Sequence, residues 1–200
     1  CVTGYTCSDL FTQDVLLDHA REVLTEIAAH TRDMDALVFV GAPLAVDGEL
    51  YNVAAAMNHG KILGLTTKTF LPNYGEFYEM RQFREGPEKA REIEFDGEMV
   101  PFGPKILFTA KRMEHLIVAA EICEDVWSPV PPSIEAVREG ATVIVNCSAS
   151  DEVVGKDSYR RELICGQSAR LICGYVYANA GEGESTQDLV FGGHNIIAEN

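Results

Sequence analysis

A short apolar run that ends in a cysteine constrains the fold of this chain more than any other feature. Residues 116–122, LIVAAEI, are almost all apolar, and Cys123, two carboxylates, Trp127 and a proline-rich segment follow them. An apolar run of this length between chain-breaking residues is typical of a buried strand. A cysteine at its end lies where the chain must turn, at the sheet edge where α/β proteins keep their chemistry. A lone cysteine is nevertheless more often a small buried side chain than a nucleophile.

Strands alternate with helices along the rest of the sequence. Apolar periodicity predicts helices at about 12–30, 133–139 and 157–173, the last closed by Gly174. Asp47-Gly48 and Asp96-Gly97 predict hairpins. The expected strands are residues 1–3 as a strand tail, 36–41, 50–56, 61–67, 93–100 around its hairpin, 106–108, 116–122, 141–146, 175–179, and a final pair at 189–191 and 194–198. This order predicts an α/β fold with a mixed sheet.

The charge balance excludes some classes of partner. The 200 residues carry 16 basic and 31 acidic side chains, a net charge of −15. Nucleic acids and anionic membranes require basic patches, so we expect neither as a partner. No apolar run reaches the length of a membrane span, and no segment resembles a signal peptide. The six cysteines form no CxxC pair and no Cys/His cluster with zinc spacing, which predicts reduced thiols, no metal site and a cytoplasmic protein.

Three loops at strand ends carry the candidate chemistry: residues 68–79, 123–127 and 146–156. A cysteine nucleophile needs a base or a lowered pKa, but none of the five histidines lies in these loops. Lys68 can favour the thiolate and stabilise an oxyanion, and a glutamate can carry the proton.

These residues occur in several stretches with a shared resemblance. They are Val2-Thr3-Gly4-Tyr5 with Ser8-Asp9-Leu10, the loop 68–79, Glu121-Ile122-Cys123-Glu124-Asp125, Asn146-Cys147-Ser148-Ala149-Ser150 and Tyr177-Ala178-Asn179. Together they resemble the nitrilase superfamily, whose triad is Glu, Lys and Cys. Within it the chain is most similar to the glutamine-hydrolysing domains of the glutamine-dependent NAD+ synthetases, over nearly its whole length.

The resemblance implies catalytic roles for three residues. Cys123 matches the nucleophile that attacks the side-chain amide of glutamine, and Lys68 matches the lysine of the triad. Glu76 matches a second glutamate, which orients that lysine. For Glu79 we expect a solvated charge or a pair with Arg81.

The resemblance also implies a glutamine site. Tyr74, Ser150 and Lys156 match positions that hold the substrate. Relatives commonly have arginine at the last position, so Lys156 keeps the charge but loses the bidentate contact to a carboxylate.

The organisation implied by the family is larger than this sequence. We expect a nitrilase-like αββα sandwich with mixed sheets that assembles into homo-oligomers. The general-base glutamate of the family lies upstream of the segment matching Cys1–Tyr5, and a synthetase domain follows the amidase. Residues 1–200 are therefore expected to be a truncated glutamine amidohydrolase domain, inactive alone. Its partners would be glutamine and the synthetase domain of the same chain. ATP and Mg2+ belong to that synthetase domain, and no cofactor is expected here.

Other functions remain open at this point. Cys1 could be an amino-terminal nucleophile with its own amine as base, as in amidotransferases of another fold. A stand-alone amidase or carbamoylase, or a non-catalytic scaffold, would share the same fold. A downstream ATP-pyrophosphatase domain in the full gene would distinguish the synthetase from the stand-alone amidase.

Overall fold

Two α/β units make up the chain, and each is built on one five-stranded sheet. The computed structural model describes residues 1–184 and 187–199. The units are Cys1–Ile106 and Leu107–Asn200. Both sheets contain parallel and antiparallel neighbours, so the prediction of a mixed α/β fold is confirmed.

The first unit packs one long helix against its sheet. Its elements are a 3₁₀ turn Ser8–Thr12, α1 (Asp14–His30), β1 (Val38–Val46), β2 (Glu49–Asn58), β3 (Lys61–Thr67), a 3₁₀ turn Glu79–Arg81, β4 (Arg91–Phe95) and β5 (Glu98–Gly103). The strand order is β1-β2-β3-β5-β4, and only β3 and β5 are parallel. Leu24 and Ala28 of α1 share a core with buried sheet residues such as Val53, Leu65 and Phe102.

Both predicted hairpins of this unit are present. Asp47 and Gly48 have φ values of 52° and 80°, and Asp96 and Gly97 have 52° and 78°. Two consecutive residues with positive φ are the signature of a type I′ turn, which matches the twist of the strands it joins. Local sequence therefore determines these turns.

The second unit carries a parallel centre. Its elements are β6 (Leu107–Thr109), β7 (Ile117–Ile122), a 3₁₀ turn Cys123–Trp127, α2 (Pro132–Arg138), β8 (Val143–Ser148), α3 (Lys156–Leu171), β9 (Gly174–Asn179) and β10 (Ile196–Ala198). The strand order is β10-β9-β8-β7-β6, in which β7, β8 and β9 are parallel and both edge strands are antiparallel. The carboxyl ends of β7 and β8 therefore lie at the same edge of the sheet.

Three sequence-based expectations are wrong in detail. The third helix was expected to end at Gly174, but α3 ends at Leu171, and Ile172, with φ 53°, is the left-handed residue after it. Gly174 instead starts β9, where its N–H donates to Thr142 O. Residues 189–191 form no strand; the Val190 carbonyl instead accepts the N–H of Glu152 from the loop after β8. Residues 1–3 are irregular, although Val2 N–H donates to Gly41 O.

Within residues 1–184 and 187–199, no helix is both long enough and apolar enough to span a membrane.

Candidate active site

Cys123 occupies a strained position at the end of a buried strand. β7 ends at Ile122, and Cys123 begins the following 3₁₀ turn with φ 45°, a conformation that non-glycine residues adopt only at a cost. Asp125 holds the turn, since its Oδ2 accepts the Ile122 N–H at 2.8 Å. The Cys123 N–H donates to Asn146 Oδ1 at 2.9 Å. A strained turn of this kind after a strand places a nucleophile at a sheet edge, and the Cys123 side chain itself is largely buried there.

One face of the parallel sheet carries a buried polar network beside this turn. In the strand register, Glu121 of β7 lies opposite Asn146 of β8. Tyr177 of β9 lies opposite Asn146 on its other side, and Tyr175 is two residues before Tyr177 on the same face. Asn146 Nδ2 donates to Tyr175 Oη at 3.2 Å, and Tyr175 Oη donates to the Glu121 carboxylate. Burial raises the pKa of Glu121 above its ordinary value, and the hydrogen bonds from Tyr175 and Ser133 offset only part of this increase. Burial and the Glu121 charge raise the pKa of Tyr175, so its hydroxyl stays a donor.

A second tyrosine extends the same face toward the cysteine. Tyr177 Oη and Ser148 Oγ are 2.6 Å apart. Burial raises the pKa of Tyr177, and the Cys123 charge adds to the increase. Tyr177 is therefore a neutral hydroxyl near Cys123.

Lys68 lies at the end of β3, as predicted, and is buried with its carboxylate partner. Its N–H donates to Asn52 O and its carbonyl accepts the Gly86 N–H, both at 2.9 Å. A Cβ at Gly86 would overlap Thr67 Oγ1, so only glycine allows this close approach. Lys68 Nζ lies 2.6 Å from Glu79 Oε1, and the two side chains are 0% and 4% exposed.

The expected pairing of Lys68 with Glu76 is wrong. Glu76 is exposed, and Glu79 makes the contact because the 3₁₀ turn Glu79–Arg81 brings its side chain inward. The alternative expectation for Glu79, a solvated charge or a pair with Arg81, is also wrong; the Arg81 guanidinium lies over the Tyr78 ring. Within the described residues, Glu79 Oε2 is buried without a hydrogen-bond partner.

The three expected substrate residues have different surroundings. Tyr74, in the first unit, is exposed and meets the Phe77 ring edge-on. In the second unit Ser150 is buried after β8, with its backbone N–H and C=O both bound by the Asn179 side chain. Lys156 begins α3, where its ammonium pairs with Asp151 and lies 5.4 Å from the centre of the Trp127 ring. Cys123, Ser150 and Lys156 thus follow strands that end at one sheet edge.

Arg160 supports this edge and was not anticipated from the sequence. It is fully buried, and its Nη1 lies 3.1 Å from both Glu152 Oε2 and His194 Nδ1. Its Nη2 donates to Asp151 O at 2.9 Å and to Ser150 Oγ at 3.4 Å. The only available signal was its position one helical turn after Lys156. Arg160 fixes the loop that carries Ser150.

Comparison with known proteins identifies the family. The model of the carbon-nitrogen hydrolase family matches residues 1–199. The chain belongs to the carbon-nitrogen hydrolase family. The resemblance drawn from the Lys68 loop and the Cys123 turn is therefore confirmed at the level of the family.

Individual proteins are similar to the chain over all or nearly all of its length. The glutamine-dependent NAD(+) synthetase of Mycobacterium tuberculosis is 41% identical over 199 residues, and the chain spans 29% of its length. The crystal structure of a glutamine-dependent NAD(+) synthetase from Cytophaga hutchinsonii has a TM-score of 0.87 and 34% identity, covering 100% of this chain and 32% of that one. The crystal structure of an amidase from Nesterenkonia sp. has a TM-score of 0.67 and 23% identity, and the match covers 97% of this chain and 64% of the amidase. At this level of identity, the similarity shows only that the two share a nitrilase-like fold.

Proposed function

We propose that this chain is the glutamine-hydrolysing part of a glutamine-dependent NAD+ synthetase. It would release ammonia from glutamine, and a synthetase part would use the ammonia and ATP to convert deamido-NAD+ to NAD+. The similarity to two synthetases over the whole chain supports this function. Within the molecule, the observation that carries it is the strained Cys123 at the end of a parallel strand.

The chemistry assigned to Cys123 is nucleophilic. Its thiolate attacks the side-chain amide carbon, a C–S bond forms, and the carbonyl π electrons move to oxygen. The intermediate then breaks its C–N bond, and the nitrogen takes the proton that the Cys123 thiol gave up, so that ammonia leaves a glutamyl thioester. Water then adds to the thioester carbon and the C–S bond breaks, which releases glutamate and restores the thiol. Lys68 supplies the triad cation that stabilises negative charge. Glu79, rather than Glu76, orients Lys68 because it makes the buried contact to Nζ.

Tyr74, Ser150 and Lys156 are the proposed glutamine contacts. The Lys156 ammonium would pair with the substrate carboxylate, and the position of Ser150 would be set by Asn179 and Arg160. ATP and Mg2+ would be bound by the synthetase part, and the assembly would be a homo-oligomer.

Replacing Cys123 by alanine in the full-length protein tests the function. Cys123→Ala should abolish NAD+ synthesis from glutamine and preserve synthesis from added ammonia, because only amide cleavage needs the thiolate. Cys165→Ala, on α3, is the matched control and should preserve both activities. Loss of both activities in Cys123→Ala, or of neither, would contradict the proposal.

A further inference from the structure

Three hydrogen bonds connect a buried carboxylate to the backbone of Cys123. They run from the Cys123 N–H to Asn146 Oδ1, from Asn146 Nδ2 to Tyr175 Oη, and from Tyr175 Oη to Glu121. Glu121, Asn146 and Tyr175 are 2%, 1% and 0% exposed. With water excluded, these groups depend on one another for their hydrogen bonds.

The donor and acceptor of each of these hydrogen bonds follow from the groups at the two ends of the series, the Cys123 N–H and the Glu121 carboxylate. The Cys123 N–H can only donate, so Asn146 must face it with Oδ1 and turn Nδ2 toward Tyr175. Tyr175 accepts that bond and has one proton left, which must go to an acceptor. An ionised Glu121 only accepts, so it meets this requirement.

The far side of Glu121 is also occupied by a donor. Its Oε2 accepts the Ser133 N–H at 2.9 Å, and Gln167 Nε2 donates to Ser133 Oγ at 2.9 Å. Glu121 therefore receives donors on both carboxylate oxygens. A neutral amide of the same size could not do so, because one of its two ends is itself a donor.

We propose that Glu121 is a positioning residue that sets the hydrogen-bond direction through Tyr175 and Asn146 and so holds Cys123 in its strained conformation. The inference rests on the proposed function, in which Cys123 is the nucleophile. Glu121 touches neither substrate nor the reacting atoms. Its effect reaches catalysis through the orientation of the Cys123 backbone.

Reversal of the hydrogen-bond direction gives a sharp test. In Glu121→Gln the Ser133 N–H retains the amide oxygen, so the amide NH₂ faces Tyr175. The Tyr175 proton then turns to Asn146, which must rotate its amide and face the Cys123 N–H with a second donor. Asn146→Asp in the same chain would repair this clash, because one carboxylate can accept from both Tyr175 and Cys123. The double variant also restores the net charge of the wild type.

The measurement is glutamine hydrolysis by the full-length protein, with ammonia-dependent NAD+ synthesis as the control for folding. Glu121→Gln should lower kcat about 100-fold, the cost typical of a misplaced catalytic group, with KM for glutamine changed less than about twofold. Asn146→Asp alone should be similarly impaired, because two carboxylates then compete for the single Tyr175 proton. The double variant should recover to within about tenfold of the wild type.

Two results would overturn the inference: a kcat for Glu121→Gln within about threefold of the wild type, or a double variant no better than the weaker single variant. If Glu121→Gln does not fold, the folded double variant is compared with Tyr175→Phe. A double variant more active than Tyr175→Phe supports the inference, and one that is equally impaired refutes it.

If Cys123→Ala still hydrolyses glutamine, the proposed function itself fails. If Cys123→Ala is inactive while Glu121→Gln has full kcat, only the positioning role fails.

Discussion

Removing the carboxylate of Glu79 should cost far more than removing that of Glu76. Lys68 Nζ and Glu79 Oε1 are 2.6 Å apart in side chains that are 0% and 4% exposed. At the effective dielectric constant of about 20 that describes protein sites, two charges at this separation attract by about 6 kcal/mol. Much of this attraction offsets the desolvation of both groups, and breaking one side of a buried pair typically costs about 3–5 kcal/mol. Glu76 is exposed, so Glu76→Ala should change stability by no more than about 0.5 kcal/mol.

The comparison uses urea unfolding and glutamine hydrolysis of the full-length protein. Glu79→Ala should shift unfolding to lower urea and lose glutamine hydrolysis, while Glu76→Ala should resemble the wild type in both. Lys68→Met combined with Glu79→Leu provides the matched control, because an apolar pair of similar volume usually restores the stability of a buried ion pair. That double variant should recover stability and remain inactive, which separates the catalytic role of the cation from its structural role.

A Glu76→Ala variant that is more damaged than Glu79→Ala in either assay would refute the role of Glu79. It would mean that Glu76 orients Lys68, as the resemblance first implied, and that the Lys68–Glu79 contact carries no function. Recovery of glutamine hydrolysis in the apolar double variant would remove Lys68 from the catalytic residues.

Two further predictions concern the second unit. Lys156→Ala should raise KM for glutamine about tenfold or more, since a charge-assisted contact contributes about 1.5–3 kcal/mol. Lys156→Arg keeps the charge and should not raise KM, and an unchanged KM in Lys156→Ala would exclude the substrate contact. Burial raises the pKa of Cys147 to about 11, so at pH 8 only about one Cys147 thiol in a thousand is ionised. Below that pKa, the rate at which iodoacetamide alkylates Cys147 should rise about tenfold for each pH unit. Mass spectrometry should find the exposed Cys1 modified well before Cys147 at pH 8; equal rates would contradict the pKa.

Sequence reasoning succeeded where the signal was local. The Asp-Gly pairs at 47–48 and 96–97 predicted turns whose positive φ values the structure shows. The apolar run before Cys123 predicted the central strand that became β7. The sequence-based predictions were wrong at Gly174 and at 189–191, where hydrogen bonds to distant backbone groups overrode the local pattern. A glycine or a short apolar run does not specify which distant backbone carbonyl will accept its N–H, or which distant N–H will donate to its C=O.

The mixed α/β fold and the positions of Cys123 and Lys68 at strand ends were determined by the sequence itself, because residue spacing and apolar periodicity act over a few residues. The family was indicated by the resemblance of the motifs around Lys68 and Cys123, which the family comparison confirms. Which carboxylate meets Lys68 was decided by the tertiary structure, since Glu76 and Glu79 lie in one loop and only its folded path buries one of them. The same holds for the network from Glu121 to Cys123, whose members come from three strands. Tyr175 and Glu121 are 54 positions apart in the sequence, and only the parallel register of β7, β8 and β9 brings their side chains together.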